Sequence, residues 1–297
     1  MYLGGIEAGG TKFVCAVGDE SGNVLAKERI ATKDPDYTMD RVIHFFKNFQ
    51  IDSLGIASFG PIDLDPESAA YGSITSTPKP GWANYPFVGT MKDALHLPVG
   101  FTTDVNGAAL GELYHGAAKG LDGCLYLTVG TGIGAGLVNR NQLFQGLSHP
   151  EMGHILVRRS PKDHFEGICP YHKDCLEGVA SGPALKARWG KSASELPADH
   201  EAWQMEADYL AQALMQYILI VSPKRIIIGG GVMKQKQLFP MIRRNVQELL
   251  AGYIDFPEVR GGIDSYIVPP ELGDNSGITG ALILAKRVYK AQHESRV

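Results

Sequence analysis

One pattern limits what this chain can fold into more than any other. A strand, a turn of glycine and threonine, and a return strand occur twice, once at the N-terminus and once near the middle. In the first copy, residues 3–7 read as a strand, Ala8-Gly9-Gly10-Thr11-Lys12 as the turn and 13–18 as the return. A second turn, Asp19-Glu20-Ser21-Gly22-Asn23, leads to a third strand over 24–29. In the second copy the strand is 124–129, the turn Gly130-Thr131-Gly132-Ile133-Gly134 and the return 135–138. Asn139-Arg140-Asn141 then turns into a short strand over 142–145. Apolar residues at helical spacing follow each hairpin: Met39, Val42, Ile43, Phe46 and Phe49 in one half, Ala207, Leu210, Ala211, Leu214, Ile218 and Val221 in the other. A strand comes next in both halves (53–58 and 225–228). Each half closes with one more strand and a helix, 99–103 with 107–118 and 265–268 with 277–291.

Two copies of βββαβαβα predict an α/β protein of two similar lobes facing each other across a cleft. That is the duplicated plan of the actin-like, or ribonuclease H-like, ATPases; the competing reading is two unrelated α/β domains. The 297 residues suffice for two domains. The expected small lobe is 1–117 plus a C-terminal helix at about 277–297, packed back on that lobe. The expected large lobe is 118–276, with an insertion over 145–180.

A phosphate loop needs N–H groups that converge without side-chain obstruction, which glycine permits and a threonine hydroxyl supplements. Gly9, Gly10, Thr11 and Lys12 offer backbone donors, a hydroxyl and an ammonium, and Gly130, Thr131, Gly132 and Gly134 offer a similar set. Either turn alone is a weak signal. Two at equivalent places in a duplicated chain point to a polyphosphate clamped between them. The P-loop pattern is absent, and a strand rather than a helix follows the second turn, which excludes a dinucleotide fingerprint. Gly229, Gly230 and Gly231 end a strand where close approach to adenine and ribose is expected, and Ser181-Gly182-Pro183 opens a helix as the other wall, both readings competing with a plain turn.

Composition narrows the partners. The 36 glycines cluster, which suggests backbone–ligand contacts, and the net charge of −4 without a basic block argues against nucleic acid. No apolar run is long enough for a membrane span, and the opening residues do not read as a signal peptide, so none is expected. Four cysteines in a chain of this size are not a disulfide scaffold, so a cytoplasmic location is expected.

Transfer of a phosphoryl group to an alcohol needs a carboxylate to take the hydroxyl proton and cations to spread charge. Asp104, at the end of the last core strand of the first half, is the candidate base, although an aspartate there is ordinarily a helix cap. Asp63 is the runner-up, in a segment that reads as a tight turn. Glu151, His154 and Glu177 are candidates for discriminating sugar hydroxyls. Between them Cys169-Pro170-Tyr171-His172-Lys173-Asp174-Cys175 places three soft ligands three residues apart, and His154 completes a Cys₂His₂ set for a structural zinc ion, the competing reading being two free cysteines near a loop histidine. Cys15 and Cys124 read as core.

Together these segments resemble the ROK family of repressors, open reading frames and sugar kinases. The resemblance rests on Glu7-Ala8-Gly9-Gly10-Thr11-Lys12, Thr103-Asp104-Val105-Asn106-Gly107-Ala108-Ala109-Leu110-Gly111-Glu112 and Leu127–Gly134, with Pro150-Glu151-Met152-Gly153-His154 and Cys175-Leu176-Glu177-Gly178. It implies Asp104 as catalytic base, hexose contacts from Glu151, His154 and Glu177, ATP with Mg²⁺, zinc at the knuckle, and a homodimer. Thr75-Ser76-Thr77-Pro78-Lys79-Pro80-Gly81-Trp82 looks like a segment of the bacterial fructokinase branch, which makes fructose the expected hexose. Kinases for glucose, mannose or amino sugars, and a non-catalytic sugar sensor, are the alternatives. Many members carry Asp where this chain has Glu7, and Cys where it has His172. Repressor members carry an N-terminal DNA-binding module, which is not expected here because the first hairpin starts at residue 3.

Overall fold

The computed structural model describes residues 1–294; the end of the C-terminal helix expected from sequence, 295–297, lies outside them. The chain divides into two compact units. One comprises Met1–Gly120, Leu143–Pro150 and the C-terminal segment from Asp274; the other comprises Leu121–Gln142 and Glu151–Gly273.

The first unit runs β1 (Tyr2–Ala8), β2 (Lys12–Asp19), β3 (Val24–Ala31), α1 (Pro35–Lys47), β4 (Ser53–Ser58), α2 (Phe87–Leu95), β5 (Val99–Thr103) and α3 (Asp104–His115). Its sheet has the order β3-β2-β1-β4-β5. The hairpin pair β1–β2 is antiparallel, whereas β1–β4 and β4–β5 are parallel. Helix α1 starts where Asp34 accepts the Tyr37 amide and Pro35 takes the first position, and it buries Met39, Val42, Phe45 and Phe46. The core joins Ile6, Phe13, Leu54 and Ile56 to Trp82, Phe87 and Met91.

The second unit contains β6 (Cys124–Val129), β7 (Ile133–Asn139), the first residue of β8 (Gln142–Leu143), α4 (Leu176–Ala180), α5 (Gly182–Trp189), α6 (Ala202–Val221), β9 (Ile226–Gly229), α7 (Leu238–Leu250), α8 (Pro257–Arg260), α9 (Ile263–Tyr266) and β10 (Ile267–Val268). Its sheet order is β8-β7-β6-β9-β10, with β6–β7 antiparallel and β6–β9 and β9–β10 parallel. Strand for strand, this is the topology of the first sheet. Leu125, Leu127, Leu210, Leu214, Ile226 and Ile228 are central to its core.

The C-terminal helix α10 (Ser276–Glu294) belongs to the first unit, against α3 and the sheet. The two helices cross backbone to backbone: a methyl group at Gly280 would stand 1.6 Å from the Gly107 carbonyl oxygen, and one at Gly111 2.2 Å from that of Ser276. Part of the glycine excess therefore serves helix packing rather than ligand contact, which corrects the reading from composition. Among the described residues no helix is long and apolar enough to cross a membrane.

Several boundaries differ from expectation. Helix α3 begins at Asp104, not Gly107, because the Thr103 hydroxyl caps it by accepting the Asn106 amide at 3.2 Å. The second glycine turn is shorter than expected, since Ile133 and Gly134 already pair with Val129 and Thr128. Strand β8 stops at Leu143, beyond which Gln145 donates to the Leu64 carbonyl and His149 accepts the Ile62 amide, drawing 143–150 into the first unit. Ser265 and Tyr266 end a helical turn instead of starting a strand; the Tyr266 amide bonds back to Gly262 and its hydroxyl donates to Pro223.

Candidate functional site

In the first unit β1, β4 and β5 run parallel, so the segments after their C-terminal ends share one edge of the sheet. The turn Gly9–Thr11 follows β1, Gly60-Pro61 follows β4, and Asp104 follows β5. The turn is braced from its own backbone: the Gly9 amide donates to Lys12 O, the Thr32 hydroxyl to Gly9 O, and the Lys79 ammonium to Gly10 O at 2.5 Å. A methyl group at Gly10 would meet nothing within 4 Å, which leaves that side of the turn open. Lys12 is exposed as the first residue of β2.

Because Thr103 caps α3, Asp104 occupies the first helical position, with Oδ1 accepting the Val105 amide at 2.8 Å. Its half-buried carboxylate sits at the positive end of the helix dipole. Asp63 is differently engaged: Oδ1 accepts the Asp65 amide and Oδ2 the Ser68 hydroxyl at 2.6 Å, which makes it the organiser of a turn. Glu7 lies in β1, one oxygen buried without a hydrogen-bond partner. Burial raises its pKa above the ordinary value, while Lys12, Lys27 and the Ile278 amide act against that.

The second unit gathers its candidates around the turn after β6. The Gly130 amide donates to Gly132 O, and the Gly182 amide to Gly130 O at 2.8 Å. Gly230, at φ +95°, lies against the backbone of Val129, and a methyl group on Gly130 would come within 3.8 Å of the Gly231 nitrogen. Three glycine segments distant in sequence, 130–132, 181–183 and 229–231, therefore converge. Pro183 lies in the first turn of α5, capped by the Ser181 hydroxyl. Thr131 is exposed at the tip, and Gly134 lies within β7.

The sugar candidates border the same turn. Glu177 Oε2 accepts the Ile133 amide at 2.9 Å. Gly132 lies directly beside it, and a methyl group there would stand 2.7 Å from that oxygen, so the Glu177 side chain would have to shift. The Glu151–His154 segment forms a 3₁₀ turn, held where the Tyr217 hydroxyl donates to Met152 O at 2.6 Å; Gly153 allows the turn to pack directly onto the Ile133 carbonyl.

His154, Cys169, His172 and Cys175 bring one ligand atom each into a group whose members all lie within 4.8 Å of one another. Cys169 Sγ is 3.7 Å from His154 Nδ1 and 3.8 Å from His172 Nδ1, and Cys175 Sγ is 3.5 Å from His154 Nδ1. Zn–S and Zn–N bonds at tetrahedral angles give S···N edges of about 3.5 Å, close to these three distances, so the donor set fits a zinc ion in its chemistry and nearly in its spacing.

The sequence reading passed over the charged lock that holds the rest of the insertion. Asp163, its side chain 2% exposed, receives Arg159 at 2.8 Å, Arg188 at 3.1 Å and the Tyr209 hydroxyl at 2.6 Å. Burial alone would raise its carboxyl; the Tyr209 hydroxyl, the Phe165 amide and the two guanidiniums outweigh burial and hold it below the ordinary range. The only signal in the sequence was the density of charge in a polar stretch.

Fold and turns together define a protein of the actin-like ATPase class. The ROK family model matches residues 3–288, and the chain belongs to that family. A Bacillus subtilis (strain 168) protein is 56% identical over 293 residues, covering 99% of this chain and 98% of its own length. The fructokinase of Pediococcus pentosaceus is 47% identical over 290 residues, covering 98% and 99%. Among solved structures, a ROK family glucokinase from Streptomyces griseus in complex with glucose and AMPPNP superposes with a TM-score of 0.75 at 25% identity, covering 97% of this chain and 100% of that one.

Proposed function

We propose that this protein is a fructokinase, a hexose kinase that transfers the γ-phosphoryl group of ATP to the 6-hydroxyl of free fructose. The observation that carries the reading is full-length identity of 47% to a fructokinase, against 25% to a glucokinase of the same family. Asp104 takes the proton of the attacking hydroxyl from its place at the first position of α3. The turns 9–12 and 130–134 hold the phosphates through backbone N–H groups and the hydroxyls of Thr11 and Thr131. Gly229, Gly230, Gly231 and Pro183 border the nucleoside, while Glu151, His154 and Glu177 bind the sugar hydroxyls. Mg²⁺ with ATP offsets phosphate charge, and the buried, unpartnered oxygen of Glu7 is the acceptor best suited to its hydration shell.

The Cys₂His₂ group holds a structural zinc ion in this reading. With Nδ1 of His154 among the ligand atoms, its Nε2 is left to serve the sugar. A cytoplasmic location and a homodimer belong to the proposal as expectations of the family. Asp104→Asn tests its catalytic core: the variant keeps its affinity for fructose and loses more than about 10²-fold in kcat, the usual scale for a general base. Near-normal turnover would remove Asp104 from that role.

A further inference from the structure

We propose that Lys79 contacts the terminal phosphate of ATP, an inference that rests on the reading of Gly9–Thr11 as a phosphate turn. Nothing in the spacing of residues connects the two places, yet the Lys79 ammonium lies 2.5 Å from the Gly10 carbonyl oxygen. The segment that carries it is firmly held. The Trp82 side chain is fully buried, and its indole N–H donates to Lys33 O at 2.8 Å. Its ring lies 5.3 Å from that of Phe13, the second residue of β2. The Trp82 amide closes a turn onto Lys79 O, and the Lys79 amide is held by the Thr77 hydroxyl.

A structural pin explains one hydrogen bond but not the charge. An ammonium carries three donors, of which the Gly10 carbonyl takes one. Among the described residues no carboxylate pairs with Lys79, although the side chain is half-buried. A cation without a carboxylate partner, fixed against a turn whose other side is open, is arranged for an anion that arrives with the substrate. The sheet edge singles out the phosphate. Asp104 and the turn follow parallel strands of one sheet, so the group nearest Lys79 is the one handed to the sugar hydroxyl. In that transfer the sugar oxygen bonds to phosphorus as the bond to the ADP oxygen breaks. Lys79 exchanges no proton and offsets charge on the equatorial oxygens.

Titration calorimetry with AMPPNP·Mg²⁺ and ADP·Mg²⁺, without hexose, tests this on the wild type, Lys79→Gln, Lys79→Arg and Thr11→Val. Glutamine keeps a donor for Gly10 O and drops the charge. Lys79→Gln weakens AMPPNP about tenfold, the scale of one charge-assisted hydrogen bond, and leaves ADP within about twofold. Lys79→Arg recovers most of the loss. Equal weakening of both nucleotides by Lys79→Gln, or unchanged AMPPNP affinity, overturns the proposal. Thr11→Val reports on the turn separately. If it weakens both nucleotides while Lys79→Gln changes neither, the turn stands without Lys79. If it changes neither while Lys79→Gln weakens AMPPNP alone, Lys79 stands without the turn.

Discussion

A methyl group at position 132 would stand 2.7 Å from Glu177 Oε2, and that oxygen also accepts the Ile133 amide. Gly132→Ala therefore has to move a proposed sugar ligand while leaving the core intact. The expected result is a fall in kcat/KM for fructose of about ten- to a hundredfold, the scale of a misplaced polar contact, with a melting temperature close to wild type. Steady-state kinetics beside thermal unfolding would check it; unchanged kinetics would detach Glu177 from the sugar. Residues whose chemistry lies in their own side chains, such as Cys169, Cys175 and His172, were legible in the sequence as one group, and the structure brings them together with His154. Thr103 and Asp104 were not separable there, since either can cap a helix; only the 3.2 Å bond from the Asn106 amide assigns the cap to threonine. Lys79 stayed hidden for a different reason, because its contact with Gly10 spans 69 residues and follows no local period.

At the scale of elements, the segment between β8 and α4 has little regular structure and depends on two fasteners. One is the zinc ion proposed for the Cys₂His₂ group. Chelation of the metal, or Cys169→Ser, is expected to expose 145–180 to protease while the sheet of the second unit stays resistant; unchanged cleavage after verified metal loss would contradict a structural ion. The other fastener is Asp163. Its carboxyl is held below the ordinary value, so its stabilisation is complete above about pH 4, the unfolded carboxylate range, and is lost as pH falls through the lower folded value. Asp163→Asn removes the ion-pair partner of Arg188 and leaves Arg159 only the longer pair with Asp174 at 3.4 Å, and is expected to cost about 3 kcal/mol at neutral pH. The variant should also lose the acid-dependent part of the wild-type decline, and melting curves across pH would show whether it does. Periodicity identified α1 and α6 because their apolar faces are regular. It misplaced the start of α3, where glycine and alanine pack against α10 and blur the helical pattern, and the 265–268 strand, where a helical turn intervenes.

For the whole molecule, the duplication was the most legible feature. Both sheets keep one strand order and one pattern of parallel and antiparallel pairs, because each half carries the same succession of strand, glycine turn and strand. The convergence of 130–132, 181–183 and 229–231 was expected only as separate walls; the Gly182–Gly130 hydrogen bond that joins two of them is long-range and needs coordinates. In the proposed site the choice of hexose depends on where Glu151, His154 and Glu177 meet individual hydroxyls, which residue type alone does not specify. The most direct measurement is ADP release by the purified protein with Mg²⁺ and a panel of fructose, glucose, mannose and N-acetylmannosamine. The account predicts sugar-dependent ATP consumption with kcat/KM for fructose at least about 10² above every other sugar, the discrimination a site built to hydrogen-bond hydroxyls can reach. Equal turnover of glucose would contradict the fructose assignment, and ATP consumption unaffected by any sugar would contradict a hexose kinase.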